Sequence, residues 1–416
     1  MMRFLHAADI HLDSPLAGLR ARAGARGDTI AGATRDTFVR LIDTALELQV
    51  AFLIIAGDVY DGDWKDYATP LFLGAQLARL ERAGIPVFLL KGNHDAENVM
   101  TRRLTLPANV TVFDARRPQT VRLAELGVAL HGQSFASRDV TDNLARGYPP
   151  PVAGLLNIGV LHTALDGRVG HAPYAPCTLA DLVRHGYDYW ALGHVHERAV
   201  LHEDPWVVFP GNLQARHANE AGPKGATLVT VAQGRIARVE PLILDTVRWA
   251  RLDCDVAGCD RFDDLSGRLA EALAGAAAAA EGRPLAIRVR LVGLTALHRS
   301  LKSDPARLAA EIEAAAARLA ADIWIEKIGV ETGDLLPPPA GDADAVGALV
   351  NTIAALAADP AERERLADEL RPLLGRLPSD LLRSEPFADA DAWLGAVMAD
   401  AEALLLDRLL PAERDR

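Results

Sequence analysis

The chain has 416 residues, of which 50% are hydrophobic and 24% are charged, and its formal net charge is −12. This length exceeds what one ordinary core accommodates, so two or three domains are expected. No uncharged apolar run approaches the roughly 20 residues of a membrane helix and no signal peptide is evident, so we expect a cytoplasmic protein without a membrane span. The acidic balance argues against binding nucleic acid by bulk electrostatics alone, but it leaves room for local binding.

Apolar strands alternate with helical patterns in the first half of the chain, which is typical of a layered α/β or α+β domain. Residues 34–48 and 69–83 each place apolar side chains on one helical face, so these helices are expected to cover a sheet. Strands are predicted at residues 3–8, 51–56, 86–90, 156–161 and 187–192.

The remainder of the chain predicts further units. Short strands at 206–209, 226–231 and 236–243 would complete a two-sheet domain over residues 1–245. A helix, a strand, a helix and a strand then indicate a small α+β accessory domain over 246–334. A proline-rich linker follows at 335–342, and 343–416 are expected to be helical. The predicted fold class is α/β (α+β), a two-sheet β-sandwich flanked by helices.

The helical tail carries an apolar stripe, which needs a partner surface. Two surfaces could cover this stripe, namely the protein's own accessory domain and another chain. The stripe consists of Trp393, Leu394, Val397, Met398, Leu404, Leu405 and Leu409.

Metal-binding side chains follow each of the five strands predicted in the first half. Ligands gather at the carboxyl ends of strands in open sheets. Two divalent cations that hold the attacking and leaving oxygens of a phosphoryl displacement need a bridging carboxylate with imidazole, carboxamide and carboxylate ligands. The sequence offers such a set in Asp9, His11, Asp58, Asn93, His162, His194 and His196.

Individual roles follow from the position of each residue. Asp58 comes directly after a wholly apolar strand, so it is predicted to bridge both cations. Asn93 supplies a neutral oxygen, which suits manganese or magnesium. His94 would lie beside the scissile phosphate and protonate the departing oxygen. Asp61 and Asp95 are expected to accept hydrogen bonds from imidazole N–H groups and fix the orientation of the rings.

Several arginines and histidines have weaker claims to function. Arg20, Arg22, Arg102 and Arg103 either form a phosphate-facing rim or are ordinary solvated arginines. The histidines without partner motifs are interpreted as ordinary core-edge or surface residues: His6, His131, His185, His202 and His298.

The motifs resemble those of the calcineurin-like metallophosphoesterases over about residues 1–245. Within that superfamily the chain is similar to the SbcD-type DNA repair exonucleases, and most of all to the bacterial YhaO-like branch. Three segments carry this resemblance, at 6–16, 57–63 and 209–217. The third segment supplies Gln214, Arg216 and His217 as candidate substrate-binding residues.

The resemblance implies two metal sites, a manganese preference and catalytic assistance by His94. It also implies a substrate-selecting cap domain after the catalytic domain, DNA as a partner, and pairing with a long coiled-coil ATPase of the SbcC type, called YhaN-like in this branch. The formation of a homodimer is left open. One metal would be held by Asp9, His11, Asp58 and His196, and the other by Asp58, Asn93, His162 and His194.

The first functional hypothesis is a two-metal phosphodiesterase that digests DNA as an exonuclease and also nicks single strands. The enzymatic alternative is a phosphatase or nucleotide phosphohydrolase that uses the same metals. Protein phosphatases of this superfamily usually show an arginine just after the second motif, where this chain has Gly62, Asp63 and Trp64. A third hypothesis is a scaffold that binds DNA ends or the ATPase with little turnover.

Overall fold

The computed structural model describes residues 1–14, 27–61, 67–97, 106–165, 174–335, 345–375 and 389–409. The chain forms two compact units. The first comprises residues 1–250 with 283–287, and the second comprises 251–282 with 288–416. The domain boundaries expected from the sequence stay predictions.

The first sheet of the first unit has six strands. They are β1 (Met2–Ala7), β2 (Phe52–Ala56), β3 (Val87–Leu90), β4 (Val110–Val112), β11 (Gly225–Ala232) and β12 (Arg235–Ile243). Their order across the sheet is β12-β11-β1-β2-β3-β4. The strands from β1 to β4 pair in parallel, whereas β11 and β12 pair antiparallel at one side.

The second sheet also has six strands. They are β5 (Gln119–Leu123), β6 (Val128–Gly132), β7 (Leu156–His162), β8 (Tyr189–Gly193), β9 (Ala199–Glu203) and β10 (Trp206–Phe209). Their order across the sheet is β5-β6-β7-β8-β10-β9. The four central strands are parallel, and β5 and β9 close the two edges in antiparallel pairing.

Alternation along the strands gives each sheet two apolar faces. In β2, Leu53 and Ile55 pack with the helices α1 (Gly27–Glu47) and α2 (Ala68–Arg82), whereas Phe52 and Ile54 face the interior between the sheets. The outer face of the second sheet packs with α4 (Leu179–Arg184), and a short helix, α3 (Asn93–Glu97), follows β3. The sandwich therefore has helices on both outer faces.

The second unit contains most of a three-stranded sheet and the helices that follow it. The elements are β13 (Arg248–Asp255), α5 (Phe262–Ala279), β14 (Leu285–Thr295), α6 (His298–Ser303), α7 (Pro305–Ala317), β15 (Ile323–Asp334), α8 (Ala345–Ala358), α9 (Pro360–Leu374) and α10 (Ala390–Leu409). The strand order is β13-β14-β15. Helices α5 and α7 pack together and carry buried leucines such as Leu269 and Leu308.

The tail stripe is partly covered within the chain. Helix α10 contacts α6 and α8, and Leu394 is buried there. Trp393, Val397 and Met398 are half-buried, whereas Leu405 is exposed. Packing on the chain's own second unit therefore accounts for the N-terminal part of the stripe. None of the described helices combines the length and the apolar composition that crossing a bilayer requires.

The predicted sandwich is confirmed, and all five strands predicted in the first half are present within two residues of their expected bounds. Helix α1 begins at Gly27, seven residues before its predicted start at residue 34. Strands β4, β5, β6, β9 and β13 were not predicted. Most residues of β4, β5 and β9 are only half-buried, so these three segments lack the wholly apolar character of the central strands.

His6 on β1 is fully buried and links the two sheets, as expected for a core histidine. Its Nε2 donates to the carbonyl oxygen of Leu192 at 3.1 Å, and its Nδ1 accepts from the hydroxyl of Tyr189 at 3.0 Å. Both ring nitrogens are thus satisfied by a neutral imidazole. Burial lowers the pKa of His6 from 6.5 to about 3.

This buried imidazole predicts a loss of stability in mild acid. Below pH 6.5 the imidazole of His6 becomes protonated in the unfolded chain but stays neutral in the folded protein. His6 therefore lowers the free energy of unfolding by up to about 1.4 kcal/mol for each pH unit below 6.5. The His6→Gln variant should have a lower free energy of unfolding than the wild type at pH 7.5. This free energy should also depend less on pH, because the titrating imidazole is gone. Urea unfolding in EDTA from pH 7.5 to 5.5 measures both effects. His202→Gln is the control, and a His6→Gln slope equal to that of the wild type would contradict the prediction.

Candidate metal centre

The predicted ligands converge where the strands of both sheets end. Registers that pair Ala7 with Ile55 and Ile55 with Leu89 bring the ends of β1, β2 and β3 together, while His162 pairs with Gly193 across β7 and β8. Consequently, the first sheet supplies one half of the site and the second sheet the other half. The ligands from the first sheet are Asp9, His11, Asp58 and Asn93, and those from the second are His162, His194 and His196.

Among the residues that the structure describes, three groups of side chains are close enough to hold a metal ion, with ligand atoms within 4.8 Å of one another. Asp58 belongs to two of them. The backbone N–H of His94 donates to its Oδ1 at 3.0 Å, which leaves Oδ2 3.4 Å from His162 Nε2 and 4.0 Å from His11 Nε2. This geometry fits the predicted bridging role. The groups are Asp9 with His11 and His196, His11 with Asp58 and His94, and Asp58 with His162 and His194.

The donor atoms of the predicted ligands lie close enough together to bind the same divalent ion. The Nε2 atoms of His11 and His196 lie 3.2 Å apart, and His162 Nε2 lies 3.0 Å from Asn93 Oδ1. Nitrogen and oxygen donors without a thiolate suit manganese, zinc, iron or magnesium better than copper(I). The residues present therefore fit two divalent cations.

Burial and mutual charge perturb the acids and bases of the site. Burial alone raises the pKa of Asp58, but the imidazoles of His162, His11 and His94 together lower that pKa well below its usual range. Burial lowers the pKa of His162, yet the carboxylate of Asp58 raises it to about 9. Burial raises the pKa of Asp9 to about 6. Near neutral pH, a cation that binds here must therefore displace the proton of His162.

Four of the predicted ligands have left-handed backbone conformations. The φ angles are 50° at Asp9, 46° at His11, 51° at Asp58 and 102° at His194. Such conformations are uncommon for residues with a side chain and persist only where the surroundings enforce them. Here the N–H groups of Ile10 and His11 donate to the Asp58 carbonyl at 2.8 and 3.0 Å, and both oxygens of Asp9 accept from His194 N–H.

Glycines allow the ligand loops to approach each other closely. A Cβ at Gly92 would lie 2.2 Å from Asp58 Oδ1 and 2.8 Å from the backbone nitrogen of Asp58. A Cβ at Gly193 would lie 1.9 Å from the carbonyl oxygen of Ala56, which also contacts His162 Nδ1 at 2.9 Å. Only glycine fits at these two positions without moving the ligands.

His94 differs from the ligands in its exposure. Its side chain is 30% exposed, whereas those of Asp58 and His162 are buried, so its ring is at the mouth of the site. Its Nδ1 lies 3.3 Å from Asp61 Oδ1, the type of contact predicted for Asp61. Both roles stay predictions, because His94 also belongs to a metal-binding group with His11 and Asp58.

Asp95 contacts different partners from those predicted. Its carboxylate accepts from the backbone N–H groups of Val59, Tyr60 and Gly92 at 3.0 to 3.2 Å, and no imidazole takes part in these bonds. The physical reason is its place in α3, from which the carboxylate reaches the backbone of the loop that follows β2. Asp95 therefore joins the two loops that carry Asp58 and Asn93.

Gln214 was expected to bind substrate, but its position in the structure does not fit this role. The residue is buried, its Oε1 accepts from Thr37 and Thr246, and its Nε2 donates to the carbonyl oxygens of Ala215 and Val247. Because these bonds occupy its amide, Gln214 supports the fold and is not available to a substrate.

The remaining candidates for substrate binding have mixed outcomes. Arg216 is largely buried between two carboxylates, whereas His217 is exposed to solvent. The rim arginines lie outside the described residues, namely Arg20, Arg22, Arg102 and Arg103.

Glu220 was missed by sequence reasoning. It is buried, and its Oε1 lies 2.7 Å from Nδ1 of His196. Burial raises the pKa of Glu220, but the hydrogen bonds from His196 and Arg216 lower it well below its usual range. Residues 216–220 do not form an α-helix, so their spacing of four residues gives no sequence signal for this ion pair.

Two family models match this chain. Residues 2–198 match the calcineurin-like phosphoesterases, and residues 249–333 match the middle domain of metallophosphoesterase YhaO. The chain carries a calcineurin-like phosphoesterase domain. This family prediction is confirmed, and the phosphoesterase domain contains every ligand of the candidate metal centre.

Three relatives place the match in context. An uncharacterized metallophosphoesterase YhaO of Bacillus subtilis is 38% identical over 259 residues, which are 61% of this chain and 63% of that protein. A DNA double-strand break repair protein Mre11 of Methanopyrus kandleri is 27% identical and covers 51% of this chain and 48% of that protein. One subunit of the nuclease SbcCD of Escherichia coli K12 is 25% identical and covers 58% and 68%. The chain thus spans less than two thirds of the first relative and about half of the second.

Replacement of Gly92 tests the close packing of the site. Gly92→Ala should weaken manganese binding by at least about tenfold, or 1.4 kcal/mol, because the added Cβ displaces the Asp58 carboxylate. Isothermal titration calorimetry of the metal-free protein measures this change. Gly74→Ala is the matched control, since a Cβ on Gly74 in α2 meets nothing within 4 Å. Wild-type affinity in Gly92→Ala would show that the Asp58 loop adapts and that the site is looser than described.

Proposed function

We propose that this protein is a two-metal phosphodiesterase that acts on DNA, digesting it as an exonuclease and nicking single strands, in the cytoplasm. The observation that carries the proposal is the position of Asp58 Oδ2, within 4.0 Å of imidazoles from both sheets. A carboxylate shared in this way is what a pair of cations needs. The relatives named a DNA repair protein and a nuclease support DNA as the substrate.

The bound cations would supply positive charge for the phosphoryl oxygens and for the attacking and leaving oxygens. Asp9, His11, Asp58 and His196 would hold one of them, and Asp58 with Asn93, His162 and His194 the other. We propose manganese as the metal, because the site combines a carboxamide oxygen with imidazoles and carboxylates.

His94 is proposed to donate the proton that the leaving oxygen needs. It lies next to Asn93 on α3, and its ring is exposed where a phosphodiester enters the site. Asp61 faces its Nδ1 at 3.3 Å, so Nε2 is left to face the substrate. Proton donation from a positioned imidazole supports turnover near neutral pH.

We also propose an SbcC-type coiled-coil ATPase as the partner, docked on the C-terminal helices. Among the described side chains, a leucine is exposed on each of these three helices, namely Leu356 on α8, Leu373 on α9 and Leu405 on α10. The name of the Escherichia coli relative, which describes it as one subunit of a nuclease, supports an assembly of this type.

Substrate preference tests the proposed activity. With manganese, the purified protein should hydrolyse bis-para-nitrophenyl phosphate with a higher kcat/KM than the monoester, degrade linear DNA and nick single-stranded circles. The assay is run on the protein alone and on the complex with any coiled-coil ATPase that it captures from a lysate. Preference for the monoester would favour the phosphatase alternative, and full metal occupancy without turnover in either form would favour the scaffold.

The role of His94 has its own test. His94→Ala should lower kcat by about 100-fold to 10,000-fold, the usual range for loss of a general acid, while the bound manganese stays at the wild-type level. Stopped assays with bis-para-nitrophenyl phosphate and elemental analysis measure the two quantities, with His202→Ala as the control. Loss of a metal ion in His94→Ala would make His94 a ligand, and an unchanged kcat would remove it from the chemistry altogether.

A further inference from the structure

Four consecutive contacts connect a predicted metal ligand with the predicted acid. Nδ1 of His196 lies 2.7 Å from Glu220 Oε1, and Nη2 of Arg216 donates to the same oxygen at 2.9 Å. Nη1 of Arg216 donates to Asp61 Oδ2 at 3.2 Å, and Asp61 Oδ1 lies 3.3 Å from His94 Nδ1. One guanidinium therefore joins the two carboxylates that face the two imidazoles.

Glu220 is fully engaged by this arrangement. It is 7% exposed, and a carboxylate so deeply buried requires donors for its oxygens. Its Oε2 accepts from the backbone N–H of Arg216 at 2.8 Å and from Asn212 Nδ2 at 2.9 Å. These bonds hold the carboxylate in one orientation.

The tautomer of His196 follows from its contact with Glu220. Nδ1 of His196 lies 2.7 Å from Glu220 Oε1 and 3.3 Å from Arg216 Nη2. Nδ1 cannot at the same time donate to Glu220 and accept from Arg216. Because the contact with Glu220 is the shorter one, we assign the proton to Nδ1, which donates to Glu220. Nε2 then presents its lone pair toward His11 and Asp9, where the metal would bind.

The other carboxylate is fixed from the opposite side of the guanidinium. Asp61 Oδ2 accepts from Ser14 Oγ at 2.5 Å and from Arg216 Nη1. Both bonds fall on the same oxygen, so Oδ1 is left to face Nδ1 of His94 and, at 3.8 Å, Nδ1 of His11. Arg216 itself has a side chain only 13% exposed, which restricts its own movement.

We propose that Arg216 and Glu220 are positioning residues, which set the orientation of His196 for the metal and, through Asp61, of His94 for catalysis. Arg216 was a candidate for substrate binding, and its two ion pairs assign it this different role. The His196 part concerns metal affinity alone, whereas the His94 part rests on the proposed function.

Three variants of the 416-residue chain separate the two parts of this proposal. Glu220→Gln should weaken manganese binding by about 10-fold to 100-fold, the usual effect of losing a carboxylate behind a histidine ligand. Asp61→Asn should keep manganese affinity within about threefold, because Asp61 Oδ1 lies 3.8 Å from His11 Nδ1, beyond hydrogen-bond distance. It should lower kcat on bis-para-nitrophenyl phosphate at saturating manganese by about 10-fold or more. Arg216→Lys should show both effects, because an ammonium cannot hold two carboxylates with a rigid fork.

Calorimetry with Mn²⁺, the split between kcat and KM, and the melting temperature are measured for each variant. Arg238→Lys is the matched control, since Arg238 forms an exposed ion pair with Glu240 on β12. Wild-type manganese affinity in folded Glu220→Gln and Arg216→Lys would overturn the His196 part, and unchanged kcat in Asp61→Asn would overturn the His94 part. If the wild type binds manganese but hydrolyses nothing, the proposed function fails while the affinity measurements still decide the role of Glu220.

Discussion

The buried carboxylate of Asp58 is the constraint on which the rest of the site depends. It lies at the end of β2 with Oδ1 held by the backbone of His94 and Oδ2 facing imidazoles on both sides. An isolated charge at this depth would be strongly unfavourable, so positive partners must surround it. The left-handed backbone at Asp58 and the absence of a side chain at Gly92 both follow from the need to bring those partners close.

The surrounding carboxylates serve as attachment points for the loops. Asp95 ties the loop after β2 to α3 through three backbone N–H groups, and Glu220 ties His196 to Arg216. Each of these carboxylates joins segments that are separated along the chain. The loops that carry the predicted ligands are therefore held together by buried side chains outside the predicted ligand set.

The sequence predicts the central strands and the ligands for the same physical reason. A wholly apolar run such as 52–56 must be buried on both faces, and polar residues directly after it must lie at the sheet edge. Residues whose role depends on distant partners could not be found this way. Glu220 meets His196 only because β10 and the following loop return to the site, and the burial of Gln214 depends on Thr37 in α1.

The interior between the two sheets has a consequence for how this protein tolerates change. Phe4 and Phe52 stack there with ring centroids 4.8 Å apart, and Phe52 meets Phe88 edge to face. These aromatic rings set the distance between the two sheets and thus the gap between Asp58 on one sheet and His162 on the other. A substitution that changes the size of these rings would therefore change the affinity of the candidate metal centre for a cation, although it would replace none of the polar residues of that centre.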